Sequence, residues 1–416
     1  MTATSAESYE TREKRVQDAI ALKQPDRVPF FPTTHLLAAR YAGMTYEDAF
    51  YNADAWFDAN REMIADFEPD IYFSPDFAIF SSGQAFEAVD FQQIKWPGDG
   101  VPANRPFQFV EEEYMKEDEY EAFLDDPSDF VIRTYMPRIY GTLEPLKKLP
   151  PIKAFLLGYA GVPMSAVFGV PEIAEAFKSL HDAAQEALKW NQASEVFHKE
   201  MGQKGFPCFA GSVAQAPFDI ISDFLRGMRG SMVDMYRRPE QLQEATEKVF
   251  SCVLGTAIGR ARMSGIPRVF MPLHRGADGF MSEEQFETFY WPTLKRLILG
   301  LIDAGLTPCP FFEGSYDSRL DYLAELPPGK VLGIFDRTDL FRAKEVLGDT
   351  MCIAGNMPVS LLQAGTPEKI EAYTKRLIEE VGEGGGFIMS CGGVMDEADI
   401  DLVRAWRDYT REYGDY

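Results

Sequence analysis

The chain has 416 residues, of which 46% are hydrophobic and 25% are charged, a composition typical of a globular protein with a large core. Its 41 basic and 65 acidic side chains give a net charge of −24, which argues against nucleic acid and anionic membranes as partners. The polar start, Met1 to Arg15, lacks the apolar centre of a secretion signal, and we identify no apolar run as long as a membrane span. We therefore expect a cytosolic protein, and the five widely spaced cysteines do not suggest a disulfide framework.

The amino-terminal third predicts helices and two short strands. Residues 1–25 have the length and charge of a helical extension, which Gln24-Pro25-Asp26-Arg27 ends before the apolar run 28–31. A helix over 46–66 leads into a short apolar strand, 71–74. Residues from about 83 to 149 are rich in Pro, acidic and aromatic side chains without clear periodicity, so we interpret them as an insertion.

From residue 151 onward, short apolar strands alternate with amphipathic helices. The predicted strands are 154–157, 208–213, 269–272, 307–312, 331–335, 352–354 and 387–390. The predicted helices are 172–199, 239–263, 282–304, 318–325, 342–347 and 367–381. This alternation predicts an α/β protein, and about eight such units predict one (β/α)8 barrel domain spanning 1–416. The alternative is an open doubly wound sheet, but no Gly-rich phosphate loop follows the first strand.

Polar side chains that follow the predicted strands are the candidates for a functional site. In a (β/α)8 barrel the active site lies at the carboxyl ends of the strands, so we expect these side chains to meet in one cavity. They are Asp76, Tyr159, Asp219, Asp223, His274, Arg275, Glu313, Asp336, Asn356 and Cys391. His35 follows the first apolar run and is a further candidate, with a structural role as the alternative. His181 and His198 have no ligand spacing within their helix, so we expect both on the surface.

Several blocks resemble the uroporphyrinogen decarboxylase superfamily. They are Pro-Phe-Asp-Ile-Ile-Ser-Asp-Phe-Leu-Arg-Gly at 217–227, Gly-Phe-Met-Ser-Glu-Glu-Gln-Phe at 279–286, Tyr-Trp-Pro at 290–292, Leu-Gly-Asp-Thr-Met-Cys-Ile-Ala-Gly-Asn-Met-Pro at 347–358 and Leu-Leu-Gln-Ala-Gly-Thr-Pro-Glu at 361–368. The resemblance extends roughly from Asp26 to Trp406. It implies a barrel that either decarboxylates or transfers methyl groups to or from a corrinoid.

The decarboxylases share an arginine-rich stretch near the amino end, and this chain retains only Arg40 in the nearest segment, 36–43. A substrate with many carboxylates would be poorly held without that stretch in a chain of net charge −24. Asp76 follows its strand where the decarboxylases have a central aspartate, and Asp223 replaces an expected tyrosine. The resemblance therefore favours the methyltransferase branch. It leaves Asp76, Glu313 and Asp336 as catalytic candidates and His35, Tyr159, Asp219, Asp223 and Arg275 as substrate-binding candidates.

The methyltransferases of this superfamily resemble one another in a zinc site, with His-x-Cys-Gly after one strand and Cys after the last. This chain has Phe-Phe-Glu-Gly at 311–314 and Ser-Cys-Gly at 390–392 in those places. His274, Glu313 and Cys391 follow three predicted strands and form the candidate zinc site, because zinc accepts all three ligand types with one position left open. The alternative is a buried thiol, a wall histidine and a rim carboxylate.

We therefore expect a methyltransferase that moves a methyl group from a small compound, for example an aryl methyl ether, to a corrinoid cobalt. Such a leaving group needs a Lewis acid or a proton donor. No Asp-x-His-x-x-Gly run is present, so the corrinoid (cobalamin) would belong to a separate protein. The alternatives are a decarboxylase of a tetrapyrrole or smaller acid, with Asp76 steadying a protonated intermediate, and a binding protein without enzymatic activity. A homo-oligomer is compatible with the sequence.

Overall fold

A computed structural model describes residues 7–416 of the chain. Its strands are β1 (Phe30–Phe31), β2 (Ile94–Pro97), β3 (Gly100–Val101), β4 (Gln108–Phe109), β5 (Ser212–Val213), β6 (Arg268–Leu273), β7 (Thr307–Phe312), β8 (Leu332–Phe335), β9 (Cys352–Met357) and β10 (Phe387–Cys391). Strands β1 and β5 to β10 form one parallel sheet in the order β1-β10-β9-β8-β7-β6-β5. Strands β3, β2 and β4 form a separate small sheet.

The segment around Tyr72 joins the two edges of the large sheet. On one side the backbone N–H of Asp70 donates to the carbonyl of Phe30 at 2.9 Å. On the other side Tyr72 forms a parallel bridge with Cys208 and exchanges backbone hydrogen bonds of 3.0 and 2.9 Å with residues 207 and 209. This segment acts as the eighth strand, so the sheet closes and the predicted (β/α)8 barrel is confirmed.

Helices surround the barrel and follow most of its strands. They are α1 (Tyr9–Ile20), α2 (Leu37–Tyr41), α3 (Tyr46–Tyr51), α4 (Ala53–Phe67), α5 (Gly83–Val89), α6 (Tyr120–Asp125), α7 (Pro127–Phe130), α8 (Met136–Ile139), α9 (Pro171–Gln203), α10 (Pro217–Ile220), α11 (Gly227–Arg237), α12 (Pro239–Ser264), α13 (Glu283–Gln285), α14 (Trp291–Asp303), α15 (Leu320–Leu323), α16 (Leu340–Leu347), α17 (Val359–Ala364), α18 (Pro367–Arg376) and α19 (Ile400–Tyr413). Single π turns at Val131–Tyr135, Ile221–Leu225, Phe286–Tyr290 and Leu377–Val381 continue four of them. Segments of 3-10 helix lie at Pro75–Phe77, Gly141–Lys148, Ile152–Gly169 and Asp317–Arg319.

The two faces of the barrel strands carry separate apolar clusters, because successive side chains of a strand point to opposite faces. The inner cluster fills the barrel with side chains that include Phe31, Phe73, Phe209, Phe270, Phe311, Ile334 and Ile388. Their neighbours along each strand belong to the larger outer cluster and contact the helices. Phe30, for example, packs on Trp406 of α19 with ring centroids 4.8 Å apart. This alternation assigns every strand-end residue to one face.

Helix α1 closes the amino-terminal end of the barrel. Its side chains Val16, Ala19 and Ile20 belong to the same inner cluster as the barrel phenylalanines. The buried Arg15 of this helix ion-pairs with Asp70, which precedes the closing strand, at 2.5 Å. The barrel interior is therefore packed and sealed from this end.

Residues 154–157, predicted as a strand, belong instead to the 3-10 segment Ile152–Gly169, so that prediction is wrong. The run has no β-branched residue, and the barrel is already closed by the Tyr72 segment, which leaves no sheet edge for it. Gly158, with φ +64°, breaks the segment into two arms, and large side chains such as Leu156 (88% exposed) face outward. By length and composition alone this segment could cross a membrane, which the sequence analysis missed.

The predicted insertion, about 83–149, contains α5 to α8 and the small sheet. From just before β4 the chain crosses the carboxyl-terminal mouth of the barrel as a strap, which we define as residues 107–115 and which includes β4. At its start the Phe107 ring lies 6.0 Å from the His35 ring, and at its end the Met115 N–H donates to the Leu225 carbonyl at 2.7 Å. Whether these residues count as an insertion in a single domain stays a prediction.

Candidate functional site

Three of the predicted polar side chains face the barrel mouth because of the strand alternation. His274 has the inward register of Phe270 on β6, and Glu313 has that of Phe311 on β7. Asp336 likewise continues the inward register of β8. Each of the three follows its strand within one residue, so the mouth of the barrel gathers them on the side of β6, β7 and β8.

Asp219 anchors the backbone where β6 ends. It lies on α10, is fully buried, and accepts the backbone N–H groups of His274 and Arg275 at 3.0 and 3.1 Å. The hydroxyl of Tyr290 donates to the same carboxylate at 2.8 Å. Burial and the nearby charge of Asp223 raise the pKa of Asp219 to about 7. Because it is enclosed, Asp219 cannot contact a substrate as the sequence predicted, and it positions its neighbours instead.

His274 is the centre of the polar cluster. Its Nδ1 lies 2.5 Å from Asp223 Oδ2, and its Nε2 lies 3.5 Å from Glu313 Oε1. Burial alone would lower the pKa of His274, but the hydrogen bond to Asp223 and the nearby carboxylate of Glu313 outweigh it and raise the pKa to about 11. The imidazole is therefore protonated at neutral pH and can donate from both nitrogens. We call Asp219, Asp223, His274, Arg275 and Glu313 the His274 cluster.

Arg275 extends the cluster towards the strap. Its Nε donates to Ser222 Oγ and to Asp223 Oδ1, both at 3.0 Å. Its guanidinium carbon lies 4.9 Å from the centre of the Phe280 ring, a cation–π contact. Its Nη2 forms an ion pair with Glu111 of the strap. The prediction that Asp223 and Arg275 lie in one site agrees with this geometry, while their binding of substrate stays a prediction.

Asp336 lies at the rim beside this cluster. Its Oδ2 accepts the Gly314 N–H at 2.9 Å, and burial raises the pKa of the carboxyl. Asn356, at the end of β9, donates to the backbone carbonyls of residues 336 and 338 at 3.2 and 3.0 Å and so fixes the turn that carries Asp336. The catalytic role of Asp336 stays a prediction.

Asp76 faces away from the mouth, contrary to the expectation. The 3-10 turn at Pro75–Phe77 directs its carboxylate to helix α9, where Ser194 Oγ donates at 2.8 Å and His198 Nε2 at 2.7 Å. Phe77 takes the inner position instead and stacks on Phe270 with centroids 5.5 Å apart. The proline that follows the strand therefore turns an aromatic ring into the barrel and moves the carboxylate to its outer side.

His198, predicted on the surface, is half-buried between the barrel wall and α9. Besides Asp76, it contacts the hydroxyl of Tyr72 at 2.7 Å through Nδ1. Burial would lower the pKa of His198, but the hydrogen bond to Asp76 raises it to about 10. The same hydrogen bond outweighs burial at Asp76 and lowers the pKa of that carboxyl. The pair is thus charged and joins α9 to the closing strand, while His181 is exposed as predicted.

The structure does not bring the three predicted zinc ligands together. Cys391 follows the outward register of Met389 and packs in the outer cluster, with its Sγ 2.7 Å from Thr33 Oγ1 and 3.1 Å from the Gly393 carbonyl. Burial raises the pKa of this thiol, which opposes a thiolate ligand. Strand β10 also lies across the barrel from β6. Within residues 7–416 no three His, Cys, Asp or Glu side chains are placed to share a metal ion. These residues do not fit a zinc site.

Two further candidates lie apart from the His274 cluster. Tyr159 is 93% exposed on the 3-10 segment, because the strand predicted before it does not form, and its predicted role in substrate binding is not supported. His35 lies at the mouth under the strap, with φ +45° and its Nδ1 2.7 Å from Asp396 Oδ1. The backbone N–H of Leu36 donates to the same oxygen at 2.9 Å, so Asp396 holds this turn in place.

Sequence reasoning missed Glu111, Tyr290 and Phe77. Tyr290 is the first residue of the Tyr-Trp-Pro block. A buried tyrosine hydroxyl needs a hydrogen-bond acceptor, so the block could have suggested a partner such as Asp219. Asp219 and Asp223, which the sequence predicted to lie in the same cavity, are four residues apart, a spacing that places both on one helical face. No local signal marks Glu111, since its role depends on how the strap crosses the mouth.

The chain is similar to known proteins in both its sequence and its fold. A family model described as "Uroporphyrinogen decarboxylase (URO-D)" matches residues 192–413, more than half of the chain. A curated uroporphyrinogen decarboxylase from Syntrophotalea carbinolica is 31% identical over 120 residues, 29% of this chain and 34% of that protein. One from Chlorobaculum parvum is 22% identical over 183 residues, 43% of this chain and 51% of that protein. The chain thus matches between a third and a half of the length of these relatives.

Among solved structures, a methyltransferase from Methanosarcina mazei has a similar fold. The TM-score is 0.62 at 14% sequence identity, and the match covers 97% of this chain and 98% of that one. At this identity the likeness shows the fold alone.

Proposed function

Since the chain belongs to the uroporphyrinogen decarboxylase family, we propose that it transfers a methyl group from a small methylated compound to a corrinoid held by a separate protein. The observation that carries the proposal is the protonated His274 at the barrel mouth, oriented by Asp223 and next to Glu313. A methyl ether, alcohol or amine leaves poorly without a proton donor or Lewis acid. The His274 cluster offers the proton donor.

In the proposed reaction the bond between the methyl carbon and the substrate heteroatom breaks and its electron pair stays on the heteroatom, while the corrinoid of the partner protein, in its cobalt(I) form, would supply the electron pair that binds the methyl group. His274 gives the heteroatom the proton from Nε2, while the hydrogen bond from Nδ1 to Asp223 keeps the ring in place. Glu313 faces Nε2 and is partly exposed, so it can return a proton from solvent to the ring. Asp219 and Tyr290 hold the backbone that carries the donor.

This proposal assigns to His274 the role that the sequence analysis gave to zinc. No step in it uses a metal, because His274, Glu313 and Cys391 do not fit one as a set. Zinc binding elsewhere, the separate corrinoid protein, a homo-oligomeric state and a cytosolic location remain predictions for experiment.

A second candidate function is decarboxylation of a small acid. The names of the curated relatives favour it, and a protonated His274 could equally protonate a carbanion left by loss of carbon dioxide. The departure of Asp76 from the mouth disfavours it, since Asp76 was the residue expected to steady such an intermediate.

Two parallel assays with the purified chain separate the two functions. Cobalt(I) cobalamin is mixed with the protein and a panel of methyl ethers, methanol and methylamines, and methylation is followed by absorbance. In parallel, carbon dioxide release is measured from porphyrinogen and benzoic-acid probes. Methylation with any donor supports the proposal. Carbon dioxide release without methylation overturns it in favour of the decarboxylase.

A further inference from the structure

We propose that Arg275 binds a carboxylate of the substrate and that Glu111 of the strap occupies this position until the substrate displaces it. The inference rests on the proposed function in one respect: its ligand is the substrate that enters the same barrel mouth. It names the chemical class of the ligand, an organic monoanion, and a residue of this chain that stands in for it.

The guanidinium of Arg275 is held as a prepared binding group. Its side chain is only 14% exposed, and one edge is fixed by Ser222 and Asp223 through contacts of 3.0 Å. Nη2 lies 2.8 Å from the same Asp223 oxygen, and the Phe280 ring packs on the guanidinium face. A guanidinium fixed in this way loses little conformational freedom when it binds an anion.

The opposite edge of the guanidinium faces the strap. Glu111 pairs with Nη2 there, whereas Nη1 makes no hydrogen bond to any residue from 7 to 416. Two neighbouring N–H groups on one edge match the two oxygens of a carboxylate. Glu111 therefore occupies only Nη2 and leaves the hydrogen-bonding capacity of Nη1 on this edge unused.

A substrate carboxylate can displace the Glu111 side chain from Arg275 at little cost. The Glu111 side chain is 36% exposed, and residues 108, 109, 112 and 113 around it are exposed as well. Ion pairs with a solvent-exposed partner contribute little to stability, so a competing anion meets little resistance. The backbone holds the strap instead, through the hydrogen bond from Val110 N–H to the Gln93 carbonyl directly before Glu111 and that from Met115 N–H to the Leu225 carbonyl at the end of the strap.

Arg275 is fixed next to the proton donor His274, so an anion bound there would be positioned for the reaction. Asp219 accepts the adjacent backbone N–H groups of His274 and Arg275, so the proton donor and the anion-binding group are fixed relative to one another. A carboxylate on Arg275 would hold the rest of a small substrate beside His274. Displacement of Glu111 would release only its side chain, because the backbone hydrogen bonds of Val110 and Met115 still hold the strap.

The test measures binding of benzoate, with the neutral isostere benzamide as its comparison, to the full chain by calorimetry or NMR titration. Glu111→Gln removes the competing charge and should tighten benzoate binding about 2- to 5-fold. Arg275→Met should weaken it at least about tenfold. Glu112→Gln is the matched control, because it makes the same change one residue away on an exposed side chain with no described ion pair. It should leave affinity unchanged.

Arg275→Lys serves if the methionine variant does not fold, since it keeps the charge but loses the fork and should still weaken benzoate binding. Equal affinity for benzoate and benzamide, or equal effects of the two glutamine variants, would overturn the inference. Binding requires no turnover, so these results stand whether or not methyl transfer is observed. Loss of methyl transfer alone would count against the proposed function and leave this inference intact.

Discussion

His274 Nδ1 lies 2.5 Å from Asp223 Oδ2, and this contact fixes which ring nitrogen is turned towards the open mouth of the barrel. His274 directly follows β6 and Asp223 lies in the π turn after α10, so neither lies near the other along the chain. A carboxylate on one nitrogen orients the ring and favours its charged form. The proton donor of the proposed reaction is therefore a property of the pair.

Replacing His274 by glutamine should reduce methyl transfer by about 10²- to 10⁴-fold, the range by which positioned acids contribute to catalysis. Glutamine can still hydrogen-bond to Asp223 but cannot donate a proton to the leaving group. Turnover is measured with the donor found in the assay, together with thermal unfolding. His181→Gln, on an exposed face of α9, is the control and should retain full activity. Unchanged turnover of His274→Gln would remove this residue from the mechanism.

Asp223→Asn should shift the pH dependence of methyl transfer. The pKa of His274 is about 11 in the protein, so activity that needs its protonated form is lost only as pH rises towards that value. Loss of the Asp223 charge should lower this pKa by about 1–3 units, which moves the alkaline limb to lower pH. Rates are measured from pH 6 to the alkaline end of stability. Ser222→Ala, which keeps Asp223 but removes one contact of Arg275, should leave that limb in place.

Cys391→Ser should leave the metal content of the purified protein unchanged. The thiol is buried on the outer face and hydrogen-bonds with Thr33 and Gly393, which a hydroxyl can also do. Metal per chain is measured on wild type and variant prepared without chelator, and methyl transfer should be retained. A fall in zinc for this variant would show that Cys391 is a ligand after all and would restore the predicted zinc site.

His198→Gln should destabilise the protein by about 1–3 kcal/mol, because it leaves the Asp76 carboxylate without its charged partner. The pKa of His198 rises from 6.5 to about 10 on folding. Its contribution is therefore complete below pH 6.5 and is lost as pH rises through 10. The pKa of Asp76 is lowered, so its contribution is present above its unfolded pKa and is lost as the pH falls through its folded pKa.

Unfolding free energies from denaturant titrations at several pH values between 6 and 10 check this. The wild type should lose stability across that interval, and His198→Gln should lose less. His181→Gln again serves as the control, with wild-type behaviour expected. Parallel curves for wild type and His198→Gln would show that the pair does not carry this dependence.

Alternation of strands and helices was enough to predict the barrel, because buried parallel strands are short apolar runs with polar residues after them. The same rule identified His274 and Glu313, whose strands end in the inward register. It misplaced Cys391 because a register differing by one residue turns a side chain to the other face, and the sequence alone does not reveal which face it is.

Asp76 and residues 154–157 show two other limits of sequence reasoning. A proline after the strand starts a 3-10 turn, and the residue that reaches the barrel interior is then Phe77. An apolar run becomes a strand only where a sheet edge can take it, which depends on the closure at Tyr72. Glu111 belongs to the same class, since its meeting with Arg275 follows from the path of the whole strap.

The seal formed by α1 has a kinetic consequence. Its side chains Val16, Ala19 and Ile20 close the barrel from the amino-terminal end, and phenylalanine rings fill the space above them. In the proposed reaction the methyl donor and the corrinoid protein would use the same opening, so the small compound would have to enter before the large partner covers it. The demethylated product would in turn leave only after that partner departs. Steady-state measurements should therefore show a compulsory order, in which an excess of the corrinoid protein slows turnover by trapping the product.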